Sequence, residues 1–274
     1  MKRLITILIL LFVGLCLARY SYGYDQMKPK EDPKLINDGC FTYVRIQTVG
    51  IAMGMCYDNG WKARETKFEM IGSGFVVKKG FIITASHVIE PLEVETVMAK
   101  YGSHNTKPFN VVNRLIFIYH FSDTPMVAKV HYLDVASDIA ILKYKPIGIL
   151  EPTTYEMEYC EFELKQNDVV FTFLHKRDKQ GNLRDKLRIR YGKILTPYPS
   201  TPTMGKEISS FSMNTITLLM NVYGGDSGSP LFAFRDSVPI FIGIINRIRI
   251  DEVIFLTYAV TLPNIRRYLN IEVE

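Results

Sequence analysis

The hydrophobic and polar positions after residue 40 follow the short alternating pattern of β-strands, with almost no long helical period. Runs rich in β-branched and aromatic residues are separated by Gly, Pro, Asn and Asp, which predicts turns between them. Strands are predicted over Cys40–Val49, Met70–Val77, Gly80–Thr84, Val111–Tyr119, Met126–Leu133, Ile139–Tyr144, Asp168–Leu174, Leu187–Leu195, Thr215–Met220, Ile240–Asn246 and Ile254–Val260. Many short strands at this spacing favour an all-β sandwich or barrel.

Four stretches depart from this strand pattern. Residues 50–67 carry several glycines and charges, so we expect an irregular loop there. Residues 146–166 contain two prolines and several glutamates and are predicted to link two halves of the chain. Residues 263–269 begin with a proline and have apolar spacing, which predicts a terminal helix. Residues 24–39 are polar and are expected to form a loose lead-in.

The first residues have the pattern of an export signal. Lys2 and Arg3 precede an apolar run from Leu4 to Leu17, which is short for a membrane span. Residues 1–23 are therefore predicted to be a signal peptide that is cleaved after Gly23, and the protein is expected to be secreted or periplasmic. An uncleaved segment that anchors the protein in a membrane is the alternative; once the signal is cleaved, no stable membrane insertion is expected.

Length and composition describe an ordinary globular protein. The 274 residues are 47% hydrophobic and 22% charged, which suits one large or two small domains. The formal charge of +5 falls to +2 without residues 1–23, which hold three basic and no acidic residues. This balance predicts no nucleic-acid partner. The basic segment Lys176–Arg190 also contains acids and a turn signal, so it is predicted to be a solvated hairpin.

Cysteine and histidine spacing gives no support for a metal site. Three cysteines remain after the signal segment, Cys40, Cys56 and Cys160, so at most one internal disulfide can form. Cys40 and Cys56 could close a small loop, but spacing alone leaves the pairing open. No Cys-x-x-Cys pair or Cys/His cluster with zinc spacing occurs, and we expect neither a metal nor another cofactor.

The candidate nucleophile is Ser227, in the stretch Gly224-Gly225-Asp226-Ser227-Gly228-Ser229-Pro230. Glycines allow positive φ and a tight turn that can present a serine hydroxyl from a rigid loop. The same turn can point the N–H groups of Gly225 and Ser227 at one space, where an oxyanion could form. An ordinary surface turn is the alternative, because Gly, Asp, Ser and Pro are common turn residues.

A serine nucleophile needs a base and a group that orients the base. Among five histidines, only His87 directly follows a hydrophobic strand, in Thr84-Ala85-Ser86-His87-Val88-Ile89; the others lie in polar loops or at strand edges. Asp138 leads into an apolar strand, where burial of its charge would be costly unless a donor such as a histidine N–H meets it. An Asp that simply ends a turn is the alternative.

The three segments together carry a resemblance. In the order His87, Asp138 and Ser227, the sequences TASHVI, SDIAILK and GDSGSP resemble the signatures of chymotrypsin-fold (trypsin-like) serine proteases. The similarity runs from about residue 40 onward and is closest in style to bacterial HtrA-type and other trypsin-like peptidase domains. We expect no PDZ domain to follow, because too few residues remain after Ser227.

The resemblance implies two antiparallel β-barrels, over residues 40–145 and 167–274, with the active site in the cleft between them. It implies a serine endopeptidase acting on peptides or proteins through an acyl-enzyme, with Ser227 as nucleophile, His87 as general base and Asp138 orienting the imidazole. Gly225 and Ser227 would form the oxyanion hole. A catalytically silent protease-fold protein that binds a partner through the cleft is the alternative, against which the intact triad speaks.

The resemblance also places three residues at the substrate: Asn221, Asn246 and Ile248. Asn221 stands where trypsin carries its specificity aspartate, so the pocket is expected to lack a charge and to prefer a medium-sized apolar residue. No Ile-Val-Gly-Gly activation terminus occurs. The sequence therefore shows no evident partner for Asp226, the acid that receives the new amino terminus in trypsin-like zymogens.

Overall fold

The computed structural model describes residues 42–90, 100, 102–107, 110–120, 124–145, 164–177, 183–197, 215–235, 238–250 and 255–261. All of these residues belong to one compact unit, Ile36–Glu274. In these ranges twelve β-strands form two closed antiparallel barrels of six strands each. The predicted all-β fold with two antiparallel barrels is confirmed.

The first barrel has the strand order β1-β2-β3-β6-β5-β4. Its strands are β1 (Tyr43–Tyr57), β2 (Trp61–Lys78), β3 (Phe81–Thr84), β4 (Asn110–Tyr119), β5 (Met126–Asp134) and β6 (Ile139–Tyr144). Inward-facing aliphatic residues fill it, among them Val44, Ile46, Val76, Ile82, Ile118 and Leu142. Burial of this apolar surface is the main force that closes the barrel.

The second barrel has the strand order β10-β11-β12-β9-β8-β7. Its strands are β7 (Val169–Arg177), β8 (Leu183–Thr196), β9 (Thr215–Leu219), β10 (Pro230–Arg235), β11 (Val238–Ile250) and β12 (Phe255–Thr261). Buried aliphatic residues also fill its core, among them Val170, Leu174, Ile194, Leu218, Leu231 and Ile242. The segment that carries Ser227 connects β9 to β10.

An aromatic cluster joins the two barrels. Phe75 of β2 stacks on Phe241 of β11 with ring centroids 5.2 Å apart, and it meets Phe232 of β10 edge to face at 5.7 Å. All three rings are buried. Such pairs add specific ring geometry to a large buried area, so the cluster fixes β2 against the strand that follows the candidate nucleophile.

The prediction of an irregular loop over residues 50–67 is wrong. β1 and β2 continue through it as one long hairpin, paired without a register shift from Tyr43↔Phe75 to Tyr57↔Trp61. The charged residues of this stretch are exposed, Gly50 and Gly54 are half-buried, and Ala52, Cys56 and Phe68 form a small buried cluster. The turn itself is only Asp58–Gly60, where Asn59 and Gly60 have positive φ, as hairpin turns favour.

One strand was absent from the prediction, and several predicted features lie outside the described residues. β10 starts at Pro230, the last residue of the serine segment, and proline is tolerated as the first residue of a strand.

The signal segment, the lead-in, the terminal helix and most of the linker are not among the described residues. The described Cys56 is a buried free thiol. Across the described ranges, no helix is long and apolar enough to cross a membrane.

Candidate active site

His87 lies on a short turn at the end of a buried strand. β3 leads into a single 3-10 turn, Ser86–Val88, closed by the N–H of Ile89 donating to the Ser86 carbonyl at 2.9 Å. Val88 and Ile89 are buried and anchor the turn, whereas the His87 side chain keeps 23% of its surface exposed. The imidazole is thus held by a rigid element with one edge open.

Asp138 is the buried acid beside this histidine. It ends the turn between β5 and β6 with φ of +54°, a left-handed conformation in which Asp is enriched. Its side chain is 5% exposed. Oδ1 accepts hydrogen bonds from Ser86 Oγ and from the His87 backbone N–H, both at 3.0 Å. These donors offset the cost of burying the carboxylate.

The His87 ring completes the shell around this carboxylate. Nδ1 lies 3.0 Å from both Oδ1 and Oδ2 of Asp138. A carboxylate only accepts, so Nδ1 carries the proton and Nε2 of the neutral ring is left as an acceptor. The structure therefore brings the predicted base and acid together in the orientation that general-base chemistry needs.

The segment around Ser227 is folded by its own backbone hydrogen bonds. The N–H of Asp226 donates to the Tyr223 carbonyl and that of Ser229 to the Asp226 carbonyl, both at 3.0 Å; the N–H of Gly228 donates to the Ile245 carbonyl at 2.7 Å. Within the described part of the chain, the N–H groups of Gly225 and Ser227 have no such partner. Two donors, from the residues on either side of Asp226, are therefore left for an oxyanion.

Ser227 is tied directly to the first barrel. Its carbonyl oxygen accepts a hydrogen bond from the N–H of Ser73 in β2 at 2.7 Å. The Gly72 backbone packs against both Val88, the neighbour of His87, and this same carbonyl. Ser227 and His87 thus lie at one junction. No described hydrogen bond joins the Ser227 hydroxyl to the imidazole, and such bonds often tighten only when substrate binds.

Gly228 packs tightly against the first barrel. Its φ is +87°, and a Cβ added there would meet the Ser73 carbonyl oxygen and Thr84 Oγ1. Gly228→Ala is therefore expected to destabilise the fold by about 2–5 kcal/mol. Denaturant unfolding measures this change in free energy.

Gly224→Ala is the matched control for that substitution. It lies in the same loop, but a Cβ at Gly224 meets nothing within 4 Å. We expect it to change the unfolding free energy by less than about 1 kcal/mol. Equal losses in the two variants would contradict the proposed contact at Gly228.

Asp226 has a partner within its own loop. The residue is buried, and Oδ2 accepts a hydrogen bond from the backbone N–H of Tyr223 at 2.7 Å. The carboxylate thus closes a local turn, as Asp side chains commonly do. No sequence pattern pointed to this partner, because the donor is a backbone group.

The three residues expected at the substrate lie on both sides of the Ser227 loop. Asn221 follows β9 and is half-buried, and Asn246 lies in β11 directly after Ile245, whose carbonyl holds Gly228. Asn246 is 1% exposed and sits at a bulge in the pairing of β11 with β12, a device that redirects side chains near sites. Ile248 belongs to β11 opposite Thr257; its side chain is outside the described part.

Both asparagines retain unused hydrogen-bonding capacity. Among the described residues, Oδ1 of Asn221 and both amide atoms of Asn246 are buried without a partner. Buried polar atoms are usually paired. These amides are therefore candidates for binding a polar group of a ligand.

His104 and His131 do not join this site. His104 is exposed in the 3-10 turn Ser103–Asn105, and His131 is exposed on β5 with its ring against Phe81 at 5.2 Å. The predicted basic hairpin corresponds to β7 and β8, paired from Val169↔Lys193 to Arg177↔Leu183. Its tip lies outside the described residues.

Four hydroxyl residues of the site were absent from the prediction: Tyr43, Ser73, Ser86 and Ser229. Ser86 precedes the histidine and could have been suspected from that position. Ser73 carried another signal, since it stands between two glycines inside a strand, and glycine in a strand often marks close backbone approach. Tyr43 gave no local signal, because its contacts lie far away in sequence.

Comparison with known proteins agrees with the two-barrel fold. Residues 72–244 match the family model described as a trypsin-like peptidase domain. No curated protein matches the sequence. The active form of the Rv3671c protease from M. tuberculosis is similar in structure, with 19% identity, 87% of this chain and 86% of that chain covered, and a TM-score of 0.53. Its inactive form gives 18% identity, 87% and 94% coverage, and a TM-score of 0.51. At these identities the likeness concerns the fold.

Proposed function

Because the chain belongs to the trypsin-like peptidase family, we propose that it is a serine endopeptidase that uses Ser227, His87 and Asp138. One observation carries this proposal most: the loop leaves the N–H groups of Gly225 and Ser227 unpaired in the described structure. Two N–H groups without a described partner, on either side of Asp226 and beside a serine, are the donors that an oxyanion hole needs.

The proposed reaction has two steps. Ser227 Oγ attacks the carbonyl carbon of the scissile bond while His87 Nε2 takes the hydroxyl proton. The resulting oxyanion accepts hydrogen bonds from the N–H groups of Gly225 and Ser227. His87 then gives its proton to the leaving amine, and an ester between Ser227 and the substrate remains. Water, deprotonated by His87, attacks this ester, and His87 then returns the proton to Ser227 Oγ as the acid product leaves.

Asp138 would support both steps without exchanging a proton. Its carboxylate holds the Nδ1 proton of His87 and stabilises the imidazolium that forms. The bonds from Ser86 Oγ and the His87 N–H fix the carboxylate in place. The preorganised geometry means that little rearrangement is needed during the reaction.

The substrates proposed are peptides or proteins with an uncharged, medium-sized and mainly apolar residue before the scissile bond. Asn221 supplies no charge that could hold Arg or Lys, and Asn246 is also neutral. A peptide library is therefore expected to be cleaved mainly after uncharged residues, and the Ser227→Ala variant is expected to cleave nothing. Mass spectrometry of the products identifies the cut positions.

Asn221→Asp tests the role of this position. A new carboxylate in the pocket is expected to raise kcat/KM for substrates with Arg or Lys before the cut by about tenfold or more, by charge pairing. Asn59→Asp, on the exposed hairpin turn, is the matched control and should leave the profile unchanged. Strong cleavage after Arg, Lys or Glu by the unaltered protein would refute the uncharged pocket.

We also propose export, with residues 1–23 removed and a mature chain that starts at Tyr24. The apolar run preceded by Lys2 and Arg3 supports this. An exported peptidase would act on extracellular or periplasmic polypeptides, and neither a nucleic-acid partner nor a cofactor enters the proposed reaction.

A further inference from the structure

A chain of hydrogen bonds runs from one side of Ser227 through the first barrel and back to the other side. Ser73 Oγ of β2 donates to the Gly225 carbonyl at 2.9 Å. The Tyr43 hydroxyl of β1 lies 2.5 Å from Ser73 Oγ and 3.3 Å from Ser229 Oγ. Tyr43, Ser73 and Ser229 are each at most 1% exposed. We call this set the hydroxyl chain.

The direction of the hydroxyl chain follows from the number of protons. A hydroxyl has one hydrogen to donate. Ser73 spends its hydrogen on the Gly225 carbonyl, so Tyr43 must donate to Ser73. The Tyr43 hydrogen is then used, so Ser229 must donate to Tyr43. The order is Ser229 to Tyr43 to Ser73 to Gly225, and hydrogen bonds aligned in this way polarise and strengthen one another.

The hydroxyl chain ends on the Gly225–Asp226 peptide. This peptide lies between the two that carry the proposed oxyanion donors: the preceding peptide carries the Gly225 N–H, and the following one carries the Ser227 N–H. Ser73 holds the carbonyl of the Gly225–Asp226 peptide, and the Tyr223 carbonyl holds its N–H at 3.0 Å. Gly225 has φ of +90° and little steric restriction of its own, so these two bonds set the orientation of the peptide.

We propose that Ser73 and Tyr43 are positioning residues that hold the oxyanion hole in working shape from the neighbouring barrel. This inference rests on the proposed function for its catalytic consequence. Together with the bond from the Tyr223 N–H to Asp226, the hydroxyl chain fixes the loop with groups already present in the folded barrels.

The kinetic test uses Ser73→Ala and Tyr43→Phe. Each is expected to lower kcat by about tenfold or more and to leave KM within about twofold, since the donors act mainly on the transition state. Tyr144→Phe and Thr48→Val are the matched controls: each removes a buried hydroxyl of the same barrel that lies outside the hydroxyl chain. They should keep wild-type kcat. A rise in KM with an unchanged kcat in both variants would overturn the proposal.

Hydrogen exchange provides a test that does not depend on activity. In Ser73→Ala and Tyr43→Phe, peptides covering residues 223–229 should exchange faster than in the wild type, whereas Tyr144→Phe should match the wild type. Tyr43→Phe keeps the ring and decides the matter if Ser73→Ala does not fold. Unchanged exchange in both would overturn the hydroxyl chain. A wild-type protein that cleaves nothing would instead overturn the proposed function, and exchange would still decide the role of Ser73 and Tyr43.

Discussion

Ser227→Ala is expected to lower kcat by about a millionfold while the protein stays folded. The substitution removes only Oγ, and the described hydrogen bond of Ser227 is made by its backbone carbonyl. The loop, the oxyanion donors and the His87–Asp138 pair should therefore persist. Single-turnover and steady-state cleavage of one peptide from the library measure the loss.

Thr66→Ala is the control for that loss. It removes a hydroxyl from the long β1–β2 hairpin, where Thr66 Oγ1 makes only a weak bond of 3.4 Å to the Lys67 carbonyl. We expect wild-type kcat. If Ser227→Ala kept a rate close to that of the wild type, another group would have to be the nucleophile.

Asp138→Asn is expected to lower kcat by about 10⁴. The amide is almost the same size, so packing is preserved, but the charge that stabilises the imidazolium is lost. An Asn can also present its NH₂ to Nδ1, which favours the tautomer with the proton on Nε2. That tautomer cannot take the proton of Ser227.

Asp168→Asn is the matched control for the acid. Oδ2 of Asp168 accepts a backbone hydrogen bond from Lys165 at 2.7 Å, in a turn before β7, so the variant changes a hydrogen-bonded carboxylate outside the site. Its kcat should equal that of the wild type. A comparable loss in both variants would show that the effect of Asp138→Asn is structural.

Local sequence was sufficient to single out His87, Asp138 and Ser227 as candidates for the base, the acid and the nucleophile. His87 follows a hydrophobic strand, Asp138 precedes one, and Ser227 lies between residues that favour turns. Each of these signals spans only a few residues. The pairing of His87 with Asp138 follows because β3 and β6 are neighbours in the barrel, paired from Phe81↔Lys143 to Thr84↔Ala140.

Contacts between distant segments could not be predicted in this way. Tyr43 and Ser229 are 186 residues apart, and no local pattern relates them. The length of the β1–β2 hairpin was missed for another reason. Residues 61–67 are nearly all exposed, so charged residues on both faces hide the alternation that marks a half-buried strand. What sequence misses here is the set of contacts that holds the site in shape.

The position of the site also depends on packing between the barrels. Phe75 stacks on Phe241, and two residues earlier on the same strand Ser73 binds both the Ser227 and the Gly225 carbonyls. Gly228 rests against Ser73 and Thr84. Strand β2 thus connects the aromatic cluster to the nucleophile loop, which explains how groups from two separate barrels keep one geometry.

The most direct test of a serine nucleophile is labelling of the folded protein with a fluorophosphonate, followed by intact-mass measurement and peptide mapping. We predict one adduct per chain, located on Ser227, and no adduct on Ser227→Ala or on protein unfolded before the reagent is added. Folded protein that takes up no label, or that carries the label on another residue in both the wild type and Ser227→Ala, would contradict the account.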